Sequence, residues 1–483
     1  TAISLRIPLG GALRWHRDLA DALVRAGHAP CRIDAGAFAD RRADRTVAAR
    51  IERAVYRLGV PADAPVPPDA IAPLAQGSGD EPMLDLAGGA AGPSVINILF
   101  DGSTRLDAAR SAILAGRAPW ISVVRAQTGE VLAAGLPALP RPDLLADSLD
   151  AVTGRAILLA CQALSPLRPD SPSADPDGAD AARRPVPALV ATGVALGRRV
   201  VRRLARRAIA HPSWRVGYRP LRDDGVADRL AWPPTGYAWI ANPPGCYLAD
   251  PILHMRDGVP HLFVEVFDEA AGRAHLGVIV IDADGRVAPV RTVLKRPYHL
   301  SYPFVFDRDG ETWMIPETMQ ARTVELYRAV SYPDSWELEQ VLLSDVDLSD
   351  VTPVDHGGLS WLFATATHGG SCWDTLDLYM AEHWRGPYRP HRLNPVLIDA
   401  RAARPAGPMQ GRDGNLLRPA QDCTRGYGSA LALCRVDRLD PDGYAQTRLS
   451  RLGPPLLGDS GVHTLATAGG FEAIDALSVR LRT

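Results

Sequence analysis

Residues 248–267, LADPILHMRDGVPHLFVEVF, are answered by residues 300–319, LSYPFVFDRDGETWMIPETM. Pro251, Gly258 and Glu265 of the first stretch match Pro303, Gly310 and Glu317 of the second, each 52 residues on. A constant offset at three positions is a register. In each stretch an alternating apolar run meets Asp-Gly and resumes, which is the pattern of a β-hairpin. Working outward, the hairpin glycines Gly258 and Gly310 are followed by Gly358, Gly414 and Gly470, at spacings of 52, 48, 56 and 56. Four-stranded blades run about 40–50 residues. Five such units filling residues 240–483 predict a five-bladed β-propeller closed between its ends, with AWPPTGYAWIANPP as lead-in.

Residues 1–163 have another rhythm. AISLRIPL reads as a strand, ALRWHRDLADALVRAGH as an amphipathic helix closed by Gly27, and PCRIDAG as a second strand. After a Pro-rich insertion at 61–94, SVINILFDGS reads as a central strand, TRLDAARSAILAGR as helix, and APWISVVRAQTGEVLAAG as strand and turn. Such alternation predicts a Rossmann-like domain with a parallel sheet. Residues 164–210 join the two parts through a Pro/Asp/Ser/Ala linker and the stretch ALVATGVALGRRVVRRLARRAIA. Its arginine pairs, Arg198/Arg199, Arg202/Arg203 and Arg206/Arg207, recur every four residues and so share a helix face. That face suits a solvated connector, or contact with an anionic membrane surface. The expected fold class is multidomain α/β plus all-β: a Rossmann-like domain at 1–163, a linker and basic helix at 164–210, and the propeller at 211–483.

The totals narrow the function. A chain of 483 residues exceeds one core. A formal net charge of -2 supplies no global field for nucleic acid, so no such partner is expected. The six cysteines lack CxxC spacing, which argues against a zinc site, and no metal is expected. No secretory signal is in view and no apolar run reaches the roughly 18 residues of a membrane span. The expected location is the cytoplasm, peripheral to the inner membrane, with reduced thiols.

In a propeller the first strand of each blade lines the central channel. Eight residues before each hairpin glycine, one slot reads Asp250, Tyr302, Asp350, Ala406 and Val462. Seven residues after it, a second slot reads Glu265, Glu317, Thr365, Gln421 and an apolar residue. Four carboxylates around one funnel repel each other and raise proton affinities, as acid/base chemistry on a glycosidic bond requires. Pro251 is expected to hold Asp250 in extended backbone. His299, Tyr302, Arg404, Arg418, Gln421, Asp422, Tyr427 and His463 cluster near the same end in the sequence pattern, and read as substrate-binding candidates. Trp214, Tyr218, Tyr247 and Trp373 offer faces for sugar rings. Each of these residues also has a purely structural reading, as a strand-end bond or a packed ring.

YLADPILHMRDGVPHLFVE, SYPFVF…IPET, LLRPAQDC…YGSAL and GVHT, in that order, resemble the propeller domain at the N-terminal side of glucosamine inositolphosphorylceramide transferases and their bacterial stand-alone relatives. The ADP opening also resembles five-bladed arabinanases and xylosidases. That resemblance implies a general-base role for Asp250, but this chain has Tyr302 and Asp350 where those enzymes carry an Asp and a Glu acid. The N-terminal part is similar to formyltransferase-like domains through SVINILFDGS. It lacks their His-Pro-Ser loop in place, which points to a scaffold, and PLGGALRW carries no GxGxxG run.

These readings lead to a carbohydrate-active enzyme, a glycosyltransferase acting on a glycan or lipid-linked acceptor in the funnel. Asp250 is its base, and Glu265, Glu317 and Asp350 are acids or neighbours that set proton affinity. The sequence shows no cofactor; a nucleotide sugar is the candidate donor and a saccharide the expected partner. A glycoside hydrolase and a non-catalytic saccharide-binding propeller remain the alternatives.

Overall fold

The computed structural model describes residues 2–8, 12–35, 60, 62–66, 81–167, 210–221, 224–233, 236–282, 285–412, 414–456 and 458–481. The linker from 168 and the arginine pairs at 198–207 lie outside them. The chain divides into two compact units, Thr1–Arg206 with His368–Ser371, and Arg207–Thr367 with Cys372–Thr483. No helix among the described residues is long and apolar enough to cross a membrane. All six cysteines are free.

The first unit holds a six-stranded sheet. Its strands are β1 (Ala2–Pro8), β2 (Ala29–Ala35), β3 (Met83–Asp85), β4 (Val95–Phe100), β5 (Ile121–Arg125) and β6 (Val131–Gly135), in the order β2-β1-β3-β4-β5-β6. β2, β1, β3 and β4 run parallel, whereas β4–β5 and β5–β6 are antiparallel. The expectation of a parallel sheet is therefore corrected to a mixed one. The short turn after Arg125 returns the chain directly, which makes β6 an antiparallel neighbour of β5. Helices Arg14–Arg25, Leu106–Leu114 and Leu145–Leu164 accompany the sheet.

The second unit is a five-bladed propeller. Blade 1 comprises Cys246–Arg256, Val259–Asp268, Arg273–Val280 and Arg291–Leu294. Blade 2 comprises Ser301–Arg308, Glu311–Glu317, Thr323–Ser331 and Ser335–Ser344. Blade 3 is Ser349–His356, Leu359–Thr365, Thr375–Ala381 and Arg389–Pro390, and blade 4 is Gln410–Arg412, Asn415–Asp422, Ala430–Asp440 and Gly443–Leu452. Every predicted hairpin glycine lies in the turn between the first two strands of its blade. At Asp257-Gly258 and Asp309-Gly310 both residues have positive φ (52° and 76°, 53° and 80°), the conformation that a two-residue hairpin of matching twist demands.

Blade 5 is composite. Leu465–Ala468 and Phe471–Leu481 come from the end of the propeller sequence, and Ala210–Pro220 and Ala238–Trp239 from its beginning. The expectation that residues from 240 onward supply all five sheets is corrected accordingly. Phe471–Leu481 pairs with Ala210–Pro220 over eleven positions. Glu472 reinforces the seam from a buried position, accepting hydrogen bonds from Arg219 Nε (2.9 Å), Val226 N–H (2.8 Å) and Tyr237 Oη–H (2.6 Å). Between successive blades lie separate apolar clusters, such as Phe263, Leu276, Leu300, Met314 and Tyr327 between blades 1 and 2. Burying each such large side chain contributes about 1.5–3 kcal/mol.

Candidate functional site

Three blades share an irregularity at the slot the sequence singles out. Between the paired positions Ile252↔Phe263 and Ala249↔Glu265, two residues of the inner strand, Asp250 and Pro251, oppose one, Val264. The same two-against-one bulge falls at Tyr302 and Pro303 in blade 2 and at Asp350 and Val351 in blade 3. Asp250, Tyr302 and Asp350 have φ of 49°, 43° and 54°. The extended backbone expected before Pro251 is thus overturned, and the bulge is the reason: its extra residue takes the left-handed conformation. For a residue with a Cβ this costs about 1–2 kcal/mol, so three repeats at one slot need compensation.

Carboxylates supply it. Each bulged amide donates to an acid from the preceding blade: Asp250 N–H to Asp475 Oδ2 (3.2 Å), Tyr302 N–H to Asp250 Oδ2 (3.1 Å) and Asp350 N–H to Glu317 Oε2 (3.3 Å). Charge-assisted bonds of this kind are the strong ones. Part of the acid cluster therefore has a backbone-holding task.

Around Asp250 the contacts are dense. It is 5% exposed, and its Oδ1 accepts from Thr464 Oγ1 at 3.2 Å and lies 3.5 Å from His463 Nε2. The other ring nitrogen, His463 Nδ1, bonds Asp475 Oδ2. Asp475 Oδ1 also accepts from the amides of His463 (2.9 Å) and Thr464 (3.1 Å). Trp214 stacks on the imidazole with centroids 3.9 Å apart and planes 9° apart, and Tyr427 meets its edge. Burial raises the proton affinity of Asp250; His463 opposes this, while Asp350 and Asp475 add to it. Burial alone would drive His463 towards neutrality, but Asp475, Asp250 and Asp350 outweigh it and hold its proton more tightly than usual. Among the described residues, ligand atoms of Asp250, His463 and Asp475 lie within 4.8 Å of one another. They form a donor set where the sequence leads to no metal expectation, though His463 and Asp475 already share a hydrogen bond.

Asp350 sits in a second knot. Arg404 grips it with Nε to Oδ2 (2.7 Å) and Nη2 to Oδ1 (3.1 Å), and Gln421 Nε2 donates to Oδ2 at 2.9 Å. Burial lifts the Asp350 carboxyl to about 7, with Arg404 pulling it down and Glu317 pushing it up. Tyr427 lies 4.9 Å beneath the Arg404 guanidinium, and Trp373 lies beside Tyr427. Arg404 and Gln421, read from the sequence as substrate-binding candidates, direct their donors to Asp350 and nearby groups.

Glu265 differs from the rest. It is 7% exposed, and its carboxylate accepts no hydrogen bond among the described residues. His299 Nε2 stands 3.6 Å from its Oε1. Because His299 Nδ1 accepts from Ala274 N–H (3.2 Å), the ring hydrogen sits on Nε2 and faces Glu265. Burial, then Asp250 and Glu317, hold the Glu265 carboxyl well above the usual range. The parallel pair Tyr247 and Phe267, 4.7 Å apart, occupies the same blade face, and Phe267 borders His299.

The structure thus brings together Asp250, Glu265, Glu317, Asp350, His299, Arg404, Gln421, Tyr427 and His463. Three candidates are placed otherwise. Arg418 is fully buried and donates to the carbonyls of Ala402 and Ala403 and to Gln446 on the outer strand of blade 4. Asp422 is held by Arg451 and Thr424. Tyr302 is buried, its hydroxyl shared by Thr352 (2.7 Å) and Gly407 N–H (2.8 Å). Asp475 and Thr464 escape the sequence reading. In blade 5 the acid stands five residues after the hairpin glycine instead of seven, leaving Leu477 in the aligned slot; an Asp inside the apolar run FEAIDALSV is the one signal.

Residues 231–452 match the family model described as glucosamine inositolphosphorylceramide transferase 1, N-terminal. The resemblance stands for the propeller. Glucosamine inositolphosphorylceramide transferase 1 of Arabidopsis thaliana is 30% identical over 259 residues, covering 49% of this chain and 34% of the plant protein. The Oryza sativa subsp. japonica protein of the same name is 30% identical over 262 residues, 48% of this chain and 34% of its own length. The chain therefore spans about a third of the relatives it matches. Among solved structures, the family 117 glycoside hydrolase Zg3597 of Zobellia galactanivorans aligns with TM-score 0.35 and 11% identity, over 55% of this chain and 90% of that one. The exo-β-1,3-galactanase 1,3Gal43A of Clostridium thermocellum aligns with TM-score 0.36 and 13% identity, over 52% and 64%.

Proposed function

We propose that the axial acid cluster is a saccharide site at which a glycosyl unit is transferred to a hydroxyl acceptor, with Asp250 as the base. The observation that carries this reading is the gathering of Asp250, Glu265, Glu317, Asp350 and Asp475 about one axis, where burial and neighbouring carboxylates raise the proton affinity of Asp250, Glu265 and Asp350. Such a set both takes and gives protons near neutral pH. The half-buried rings of Tyr427 and Trp373 flank it, and the name of the plant relatives favours transfer over hydrolysis. In the step proposed, the acceptor oxygen attacks the anomeric carbon and its proton passes to Asp250. The bond to the leaving oxygen breaks, and that oxygen is protonated by an acid of the cluster. His463, bonded to Asp475, steadies the charge on Asp250. The N-terminal α/β unit is read as a formyltransferase-like scaffold without formyl transfer.

The test is turnover of the purified protein on nucleotide sugars and on O-glycosides with oligosaccharide acceptors. Asp250→Asn keeps an acceptor for Tyr302 N–H and deletes the basicity, so a loss of about 10²–10⁴ is expected with ligand-induced thermal shifts retained. Undiminished turnover would make Asp250 an amide cap only. A parent that shifts with saccharides but turns over none of the donors would be a binding propeller.

A further inference from the structure

The repeat supplies its own controls for the second slot. Glu317 in blade 2 caps the Asp350 amide of blade 3. Thr365 in blade 3 is spent within its own blade, its hydroxyl bonding Cys372 O (2.8 Å). Gln421 in blade 4 reaches Asp350. In blade 5 the nearby Asp475 caps Asp250. By the same rule Glu265 would cap the Tyr302 amide, but Asp250 already holds it at 3.1 Å. The substitution of one cap by another leaves the Glu265 carboxylate buried beside the cluster without a hydrogen bond among the described residues.

We propose that Glu265 is the catalytic proton donor to the leaving oxygen, and that the glycosyl donor is consequently an O-glycoside with an alcohol leaving group, not a nucleoside diphosphate sugar. The proposal rests on the transfer reading above. Its chemistry is balanced: as the anomeric C–O bond breaks, the leaving oxygen keeps the electron pair and takes the Glu265 proton. The new carboxylate then accepts from His299 Nε2–H, which stands 3.6 Å away and is aimed by the Ala274 amide. The proton collected by Asp250 returns to Glu265 through solvent. An alkoxide needs such protonation, whereas a diphosphate leaves as a stable anion without it. A diphosphate would also meet a cluster of five acids beside which Arg404 is already bound two-handed to Asp350, and like charges there repel.

The experiment compares parent, Glu265→Gln and Glu317→Gln on two O-glycosides of the same sugar, one with an alkyl and one with a nitrophenyl leaving group, beside nucleoside diphosphate sugars. Glu265→Gln should lose about 10²–10⁴ in kcat on the alkyl glycoside and less than about tenfold on the nitrophenyl glycoside, which departs unprotonated. Glu317→Gln, which weakens an amide cap, should lose the same factor on both. If Glu265→Gln does not fold, Glu265→Asp must show the same skew towards the alkyl donor. Equal losses on both glycosides overturn the assignment of Glu265. A parent active only on nucleoside diphosphate sugars overturns the donor class, and a parent inactive on every donor overturns the transfer reading itself.

Discussion

Gly428 is where the position of His463 is most directly set by a missing side chain. Its φ is +55°, and a Cβ built there would lie 2.6 Å from His463 Cβ, 3.2 Å from its Cγ and 3.2 Å from the Trp214 ring. Its carbonyl accepts Val462 N–H at 2.8 Å, so the backbone cannot retreat freely. Gly428→Ala combines a left-handed penalty of about 1–2 kcal/mol with overpacking of about 1–3 kcal/mol, together about 2–5 kcal/mol. For a unit of this size that is a fall of about 5–15 °C in Tm. Gly414→Ala is the control, since Gly414 has φ +79° and nothing within 4 Å of a built Cβ, and carries the backbone penalty alone. Calorimetry reads the difference, and imidazole NMR reads the site: displaced from Asp475, His463 should lose its proton at lower pH than in the parent. Equal Tm losses for the two variants, with an unchanged His463 titration, would refute the claim that Gly428 seats this ring.

Other outcomes follow from the same contacts. Asp475→Asn should lower the pH at which His463 loses its proton, by about 1.4 kcal/mol for each tenfold change in proton affinity, as read by NMR. Because His463 binds its proton more tightly in the folded protein, it contributes stability fully present below its ordinary value near 6.5, and this fades as pH rises through the higher folded value. The denaturation midpoint of the parent should therefore fall across that range relative to His463→Gln. Glu472→Ala, which removes the carboxylate partner of buried Arg219, should cost about 3–5 kcal/mol, with hydrogen exchange accelerating first in Phe471–Leu481. Arg404→Lys keeps the charge but loses the two-handed grip on Asp350, and a loss of about 1–3 kcal/mol in urea titrations is expected.

The blades were legible because a two-residue turn writes itself in Asp-Gly and Gly-Gly, and because five copies state the period repeatedly. The ring closure was legible only as a need, since nothing local to Ala210–Pro220 names a partner more than 250 residues away. In the N-terminal unit, alternation marked strands and helices, but composition does not fix the antiparallel directions of β5 and β6. For the site, register located Asp250, Glu265 and Asp350 but could not show that bulged amides consume most of the acids. That is a matter of φ, and Pro251 argues for the opposite conformation. Arg418 shows the limit on the other side. An arginine next to candidate residues looks like a ligand clamp until its carbonyl partners are seen.

The seam between Ala210–Pro220 and Phe471–Leu481 also orders events in time. Ser213 and Ser478, which bond across it, are 265 residues apart, and contacts of such separation form late. During synthesis the earlier strand leaves the ribosome long before its mate exists, and meanwhile presents a bare edge ready to pair. His463 and Asp475 arrive with that mate, so a chain whose ring is still open holds Asp250 without the residues that cap its amide and face its carboxylate. The contacts of Asp250 with Asp475, His463 and Thr464 are in this way withheld until the circle is shut. The same open edge fits the late strand of a second copy equally well, which makes exchange between two unfinished rings the route by which this fold would form dimers.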